Sequence, residues 1–190
     1  MIKKHLIVGY GNWGKFVYSY LNSLTHINIC VLINKPRKKE KFQITPIEFN
    51  KNNKIFNSIH ICTPIKNHYK LALKFLKLNK YLIIEKPIVQ TLKQINLLIS
   101  KYKNKLILVN FSDIYNPGYY KLARKFNINN TKLIKITYQK NNAKYKKQYN
   151  CLEDWLDHPL SLIFKYFGKP LLFKLIKIEI KKKINFFLKI

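Results

Sequence analysis

Three of the chain's five glycines stand close together in LIVGYGNWGKFVYSYL, residues 6–21, at positions 9, 11 and 14. A Gly-x-Gly-x-x-Gly spacing that follows a strand and opens a helix is suited to holding a pyrophosphate. Gly9 permits the tight turn, Gly11 lets backbone amides approach the phosphates, and Gly14 lets helix and strand pack closely. The helix N-terminus adds partial positive charge. A plain strand-to-helix turn needs one glycine, so three at this spacing point to a dinucleotide cradle. Asn12 and Trp13 lie within the loop and are expected at the cofactor, Trp13 either stacked on a ligand ring or packed at the rim.

The cofactor's identity is read where the second strand ends. NAD calls there for an acid to hold the ribose hydroxyls. The sequence has Asn34, then Lys35, Pro36, Arg37 and Lys38. Cations sit where a 2′-phosphate would lie, which favours NADP over NAD. Lysine is abundant throughout, so Arg37 carries that preference.

The elements that must position these groups follow from apolar periodicity. Strands are expected at 5–9, 27–33, 58–62, 81–85 and 106–110, with helices at 15–23, 68–78 and 92–102. Lys35 to Lys41 reads as a charged loop. Strands alternating with helices of this length imply an α/β fold, a doubly wound parallel sheet of Rossmann type. The pattern changes after about Phe111, which divides the chain into residues 1–111, the dinucleotide-binding domain, and 112–190, a shortened α+β domain. There Asn116-Pro117 should cap and open a helix to about Phe126. A strand is expected at 132–139, a lysine-rich loop at 140–149 and a helix at 154–167. Alternation of Ile176, Ile178 and Ile180 with charged residues gives an antiparallel strand, with 184–190 as its partner.

The apolar share of 47% supports a sizeable core. The formal charge of +29 would suit a polyanion or an anionic membrane surface. The lysines are dispersed, however, and the only arginines are Arg37 and Arg124, which fits compositional drift better than a phosphate reader. No specific nucleic acid and no membrane partner are expected. Cys30, Cys62 and Cys151 are odd in number and far apart, which fits a reducing cytoplasm. Met1 leads directly into charged residues and a strand, so no signal peptide is expected. The five histidines and three cysteines show no metal-ligand spacing.

Three further stretches narrow the reading. ICTPIKNH (61–68), IIEKPI (83–88) and DWLDHPLS (154–161) resemble, in order, the Thr-Pro turn, the Glu-Lys-Pro signature and the Asp-x-x-x-His element of the Gfo/Idh/MocA family. This is the family of glucose–fructose oxidoreductase and inositol dehydrogenase. GYGNWGK and NFSDIYNPGYYKL (110–122) are similar to the branch that acts on nucleotide-linked sugars, although this chain has His158-Pro159-Leu160-Ser161 where that branch has His-Asp-x-Ser. The resemblance implies a hydride transfer between NAD(P) and a secondary alcohol or ketone of a sugar. It makes Lys86 the residue that handles the hydroxyl proton, with His158 a second acid–base group and Asp154 orienting it or the sugar. Asp154 and His158 are four apart and would share one helix face. Thr63 and Pro64 shape the nicotinamide pocket. His68, opening the next helix, and Glu85, anchoring its own turn, border the cofactor, and Pro87 is expected to be cis. The resemblance also implies a homo-oligomer formed through the second domain. Family members are much longer, so the second domain has room for two or three strands only.

Two other readings compete. One is a catalytically degenerate dinucleotide-binding protein with a vestigial second domain. It is favoured by the short second domain and opposed by the presence of Lys86, Asp154 and His158. The other is a basic nucleic-acid binder on a Rossmann scaffold, opposed by dispersed lysine and the lack of an aromatic recognition motif.

Overall fold

The protein is described from a computed structural model that covers residues 3–24, 26–34, 40–125, 133–139, 156–169, 172–179 and 183–189. It divides into two compact units, Met1–Asn110 and Phe111–Ile190.

In the first unit, β1 (Lys3–Val8) leads into α1 (Asn12–Asn22), then β2 (Ile27–Leu32) and the two-residue β3 (Gln43–Ile44). Next come α2 (Pro46–Asn52), β4 (Ser58–Ile61), α3 (His68–Leu76), β5 (Tyr81–Glu85), α4 (Leu92–Tyr102) and β6 (Ile107–Asn110). The six strands form one sheet in the order β3-β2-β1-β4-β5-β6. Every pairing is parallel, from Val31↔Gln43 at one edge to Glu85↔Asn110 at the other. The expected Rossmann sheet is therefore present, and the chain reverses its winding at β1. The turns after β1, β4 and β5 lie along one carboxyl edge, where an open parallel sheet places its ligand.

Alternation along each strand feeds two apolar layers. Leu6, Val8, Ile59, Ile61, Leu82 and Ile84 pack against Ala72, Phe75 and Leu76 of α3 and Leu98 of α4. Ile7, Ile29, Val31 and Cys62 meet Val17 of α1 on a second, smaller layer. The strand β3 and helix α2 were not anticipated from periodicity, because seven residues are too short to show it. A capping box announces α2 instead. The Thr45 side chain accepts from the Glu48 amide, and the Glu48 carboxylate accepts from the Thr45 amide at 2.7 Å. Pro46 at the first helical position is compatible with this start. Phe49 of α2 is buried against Phe56 and Phe75, with ring centroids 6.0 and 5.7 Å away. Burying one such ring is worth about 2–3 kcal/mol, enough to hold a two-turn helix that would not persist alone.

In the second unit, α5 (Pro117–Ala123) is capped by Asn116, whose side chain accepts from the Gly118 amide at 2.8 Å. The α6 helix spans Asp157–Tyr166, and residues 154–155 of the expected helix lie outside the described residues. Pro159 is tolerated because it stands in the first turn. In the first turn its missing N–H costs no intrahelical bond, whereas further inside it would break one. A three-stranded antiparallel sheet completes the unit, with β7 (Leu133–Gln139), β8 (Leu172–Glu179) and β9 (Lys183–Lys189) in the order β7-β9-β8. The last strand is thus the central one and pairs with both others.

The buried polar residue His5 makes the first unit pH-sensitive. Its Nδ1 lies 2.6 Å from Ser58 Oγ, and its Nε2 is buried without a hydrogen-bond partner. Burial, then the nearby His60, lower its pKa from 6.5 to about 4. The unfolded chain therefore binds the extra proton first, and stability falls as pH drops from 6.5 towards 4. The loss reaches about 3 kcal/mol at the lower end. Urea unfolding at pH 7 and near pH 4.5 should show this loss in the wild type and a smaller one in His5→Leu. Equal pH slopes in the two proteins would refute it.

Candidate active site

The glycine turn is built against the end of β4. Gly9 has φ +103°, and a Cβ there would lie 2.8 Å from the Cys62 carbonyl oxygen and 2.9 Å from Thr63 Cγ2. A Cβ on Gly14 would overlap the Gly9 carbonyl oxygen. Both positions need glycine because the turn is pressed between β4 and α1. Gly11 differs, since a Cβ there would meet nothing within 4 Å. It is the N-cap of α1, with extended backbone, no side-chain cap and no acid in the first turn. Lys15 donates to the Gly11 carbonyl at 2.9 Å. The amides of Asn12, Trp13 and Gly14 thus have no carbonyl to reach within the helix. Open space over Gly11 and three outward amides at a helix N-terminus fit a diphosphate. Thr63 adds a buried hydroxyl oxygen with no hydrogen-bond partner. The residues present therefore fit a dinucleotide.

Asn34 is exposed just beyond β2, while Arg37 lies outside the described residues. Pro64 is exposed on the turn after β4. His68 opens α3 and is 1% exposed. Its Nδ1 lies 2.9 Å from the Pro87 carbonyl and its Nε2 2.7 Å from the Thr63 carbonyl. One imidazole thereby ties the turn after β4 to the turn after β5. Lys86 is half-buried on that second turn, and its peptide bond to Pro87 is cis.

Beside Lys86, Glu85 gathers residues from three other elements. Its Oε1 accepts from Asn110 Nδ2 at 2.7 Å and lies 2.8 Å from His60 Nε2. The Trp13 side chain contributes a further hydrogen bond. Burial alone would push the Glu85 carboxyl up. The hydrogen bonds from His60, Asn110 and Trp13, with the His60 charge, outweigh it and hold the carboxyl below its ordinary range. Parallel register explains the convergence: Glu85 and Asn110 are direct partners, and His60 opposes Ile83, one pleat away.

The same fold brings His60, Cys62 and Glu85 donor atoms within 4.8 Å of one another, a grouping that sequence spacing did not reveal. Burial, then the Glu85 charge, push the Cys62 thiol far up, which opposes the thiolate a metal needs. Glu85 is already engaged by its donors, so hydrogen bonding accounts for the cluster. His60 was missed as a site residue. A single histidine in an apolar strand gives no sign of a carboxylate 25 residues away.

The second unit holds its own pair. His158 Nδ1 lies 2.9 Å from Asp113 Oδ2. Ser161 Oγ donates to the His158 carbonyl at 2.8 Å, and Tyr166 donates to the Ile114 carbonyl at 3.0 Å. Asp154, the partner expected for His158, lies outside the described residues. Asp113 was not anticipated, being 45 residues from His158 in the chain.

Residues 3–111 match the family model described as "Oxidoreductase family, NAD-binding Rossmann fold", Gfo/Idh/MocA. No curated protein matches the sequence. Among solved structures, scyllo-inositol dehydrogenase from Lactobacillus casei, with bound NAD(H) and scyllo-inositol, is 16% identical with a TM-score of 0.74, over 90% of this chain and 57% of that one. GenD2 from gentamicin A biosynthesis, in complex with NAD, is 13% identical with a TM-score of 0.73, over 88% of this chain and 54% of that one. An oxidoreductase from Bacillus cereus is 17% identical with a TM-score of 0.72, over 96% of this chain and 59% of that one. At these identities the likeness is one of fold. The chain spans less than two thirds of the length of each of these structures.

The glycines give a contrast that needs no substrate. Gly11→Ala should leave thermal stability within about 0.5 kcal/mol of wild type, as an open surface position allows. Gly14→Ala should cost several times that, about 2–4 kcal/mol, because α1 must move off the turn. Equal melting temperatures for the two variants would contradict the packing described.

Proposed function

The chain belongs to the Gfo/Idh/MocA family of oxidoreductases with an NAD-binding Rossmann fold, and from that premise we propose that it transfers a hydride between NADP, or NAD, and a secondary alcohol or ketone of a sugar or nucleotide-sugar. One observation carries the reading. The glycine turn after β1 and Lys86 after β5 stand on the same carboxyl edge of one parallel sheet, with Thr63 and Pro64 after β4 between them.

When bound, the nicotinamide supplies the hydride-exchanging carbon. Gly9, Gly11, Asn12, Trp13 and Gly14 hold the diphosphate through the amides that open α1. Asn34 and Arg37 are assigned to the adenosine ribose, and Arg37, with no acid at position 34, is the ground for preferring NADP. Lys86 Nζ takes the hydroxyl proton as the carbonyl forms, or returns it in the reverse direction. His158, oriented by Asp113, is the second proton-handling group, and Asp154 contacts the sugar hydroxyls. The second unit supplies the substrate face and the oligomer contact. The sugar-type substrate draws support from scyllo-inositol and NAD(H) in the Lactobacillus casei dehydrogenase. Three scattered cysteines suit a reducing cytoplasm.

The second reading is a dinucleotide-binding protein without turnover, which would bind the cofactor and leave every substrate of the turnover screen unchanged.

Fluorescence titration with NADPH and NADH tests the cofactor assignment. Saturable binding of both, tighter for NADPH and weakened in Gly11→Ala, is expected. Equal or tighter NADH binding would remove the Arg37 argument, and no binding of either would remove the site. A screen of polyols and nucleotide sugars by NADPH absorbance tests turnover. There Lys86→Ala should lower kcat about 10²–10⁴-fold with cofactor affinity nearly unchanged. Unchanged turnover would discard the role given to Lys86.

A further inference from the structure

The Glu85 carboxylate is met by groups from three neighbouring elements. His60 comes from β4, with Cys62 just after that strand, Asn110 from the end of β6 and Trp13 from the first turn of α1. Lys86 is its neighbour on the same turn, and His5 stands behind His60 with ring centroids 6.1 Å apart. Of these groups, His60 is a side chain whose chemistry the strand itself does not require. Its flanking residues on β4, Ile59 and Ile61, are fully buried and apolar. An imidazole at this depth incurs a desolvation cost that valine or leucine would avoid. Its Nε2 reaches Glu85.

We propose that His60 is a positioning residue for the proton-handling turn: it fixes the Glu85 carboxylate, and through it aligns the turn bearing Lys86 with the glycine turn bearing Trp13. This rests on the assignment of proton handling to Lys86. Three consequences follow from the geometry. Glu85 needs a donor at the His60 position to remain ionised in a buried setting. Its charge then stays fixed next to Lys86 across neutral pH. Trp13, on the cofactor loop, registers the state of the carboxylate that borders the proton-handling residue.

The chain has two tryptophans. The indole N–H signal of Trp13 can therefore be assigned in a ¹H–¹⁵N spectrum by its loss in Trp13→Phe. His60→Leu removes the donor, and His60→Gln returns an amide N–H near the place of Nε2. Neither variant carries an imidazole at position 60. In His60→Gln the Trp13 signal should stay flat across about pH 5.5–8. In His60→Leu it should titrate within that range, because an unsupported buried carboxyl has its pKa raised. With NADPH and whichever sugar supports turnover, His60→Leu should lower kcat about 10–100-fold, as expected for a misplaced reacting group. Its acidic limb should move to higher pH, and His60→Gln should restore both.

A Trp13 signal as flat in His60→Leu as in His60→Gln would overturn the proposal, since Glu85 would not depend on His60. A titrating signal with unchanged kcat and pH profile would also overturn it, since the carboxylate would not serve Lys86. Should Lys86→Ala retain full turnover, the underlying assignment falls and the positioning role falls with it. The Trp13 titration still reads the His60–Glu85 link separately in that case. If His60→Leu does not fold, Glu85→Gln keeps the shape and removes the charge, and wild-type turnover there would overturn the proposal.

Discussion

The carboxyl edge of the sheet depends on one close approach. The Gly9 turn lies on the Cys62 backbone and the Thr63 side chain just after β4, and α1 lies on the Gly9 carbonyl. No Cβ fits at position 9 or 14. That contact sets where α1 begins, and so where its free amides point. It also places Trp13 within reach of a carboxylate on β5. A helix displaced by one side chain would lose both the anion cradle and that link. The two glycines thus do steric work, while Gly11, open to space, is free for a ligand.

On β4, β5 and β6 the same edge is polar where a parallel sheet is usually apolar. Two buried histidines on this side of the sheet have different consequences. His5 has one nitrogen without a partner and is held neutral by burial and by His60. His60 faces a carboxylate that three side chains support. His68, at the head of α3, instead joins two backbone turns. The residues that stand beside Lys86 are therefore tied to the sheet by side-chain hydrogen bonds as well as by strand pairing.

In the second unit, α6 carries His158 in its first turn, and the short turn after β6 supplies Asp113. The Tyr166 hydroxyl closes the other end of that helix on the Ile114 carbonyl. Two hydrogen bonds at opposite ends of α6 hold it to one short segment, 113–114. Acid and base are thus paired within the unit.

Local signals were sufficient for much of this. The glycine spacing, the strand–helix alternation and the Glu-Lys-Pro turn are contiguous, and each states its own geometry. They determined the Rossmann sheet, the position of α1 and the placement of Lys86 after a strand. The sequence also carried the Thr45-x-x-Glu48 capping box, but α2 is too short for periodicity to display. What only tertiary structure decided is which distant side chains meet. The Glu85 cluster joins residues 13, 60, 85 and 110, and the His158 pair spans 45 positions. Strand register creates the first: Glu85 opposes Asn110, and His60 sits one pleat off. A register is a property of two strands together, fixed by burial of both apolar faces, so no single stretch of sequence records it.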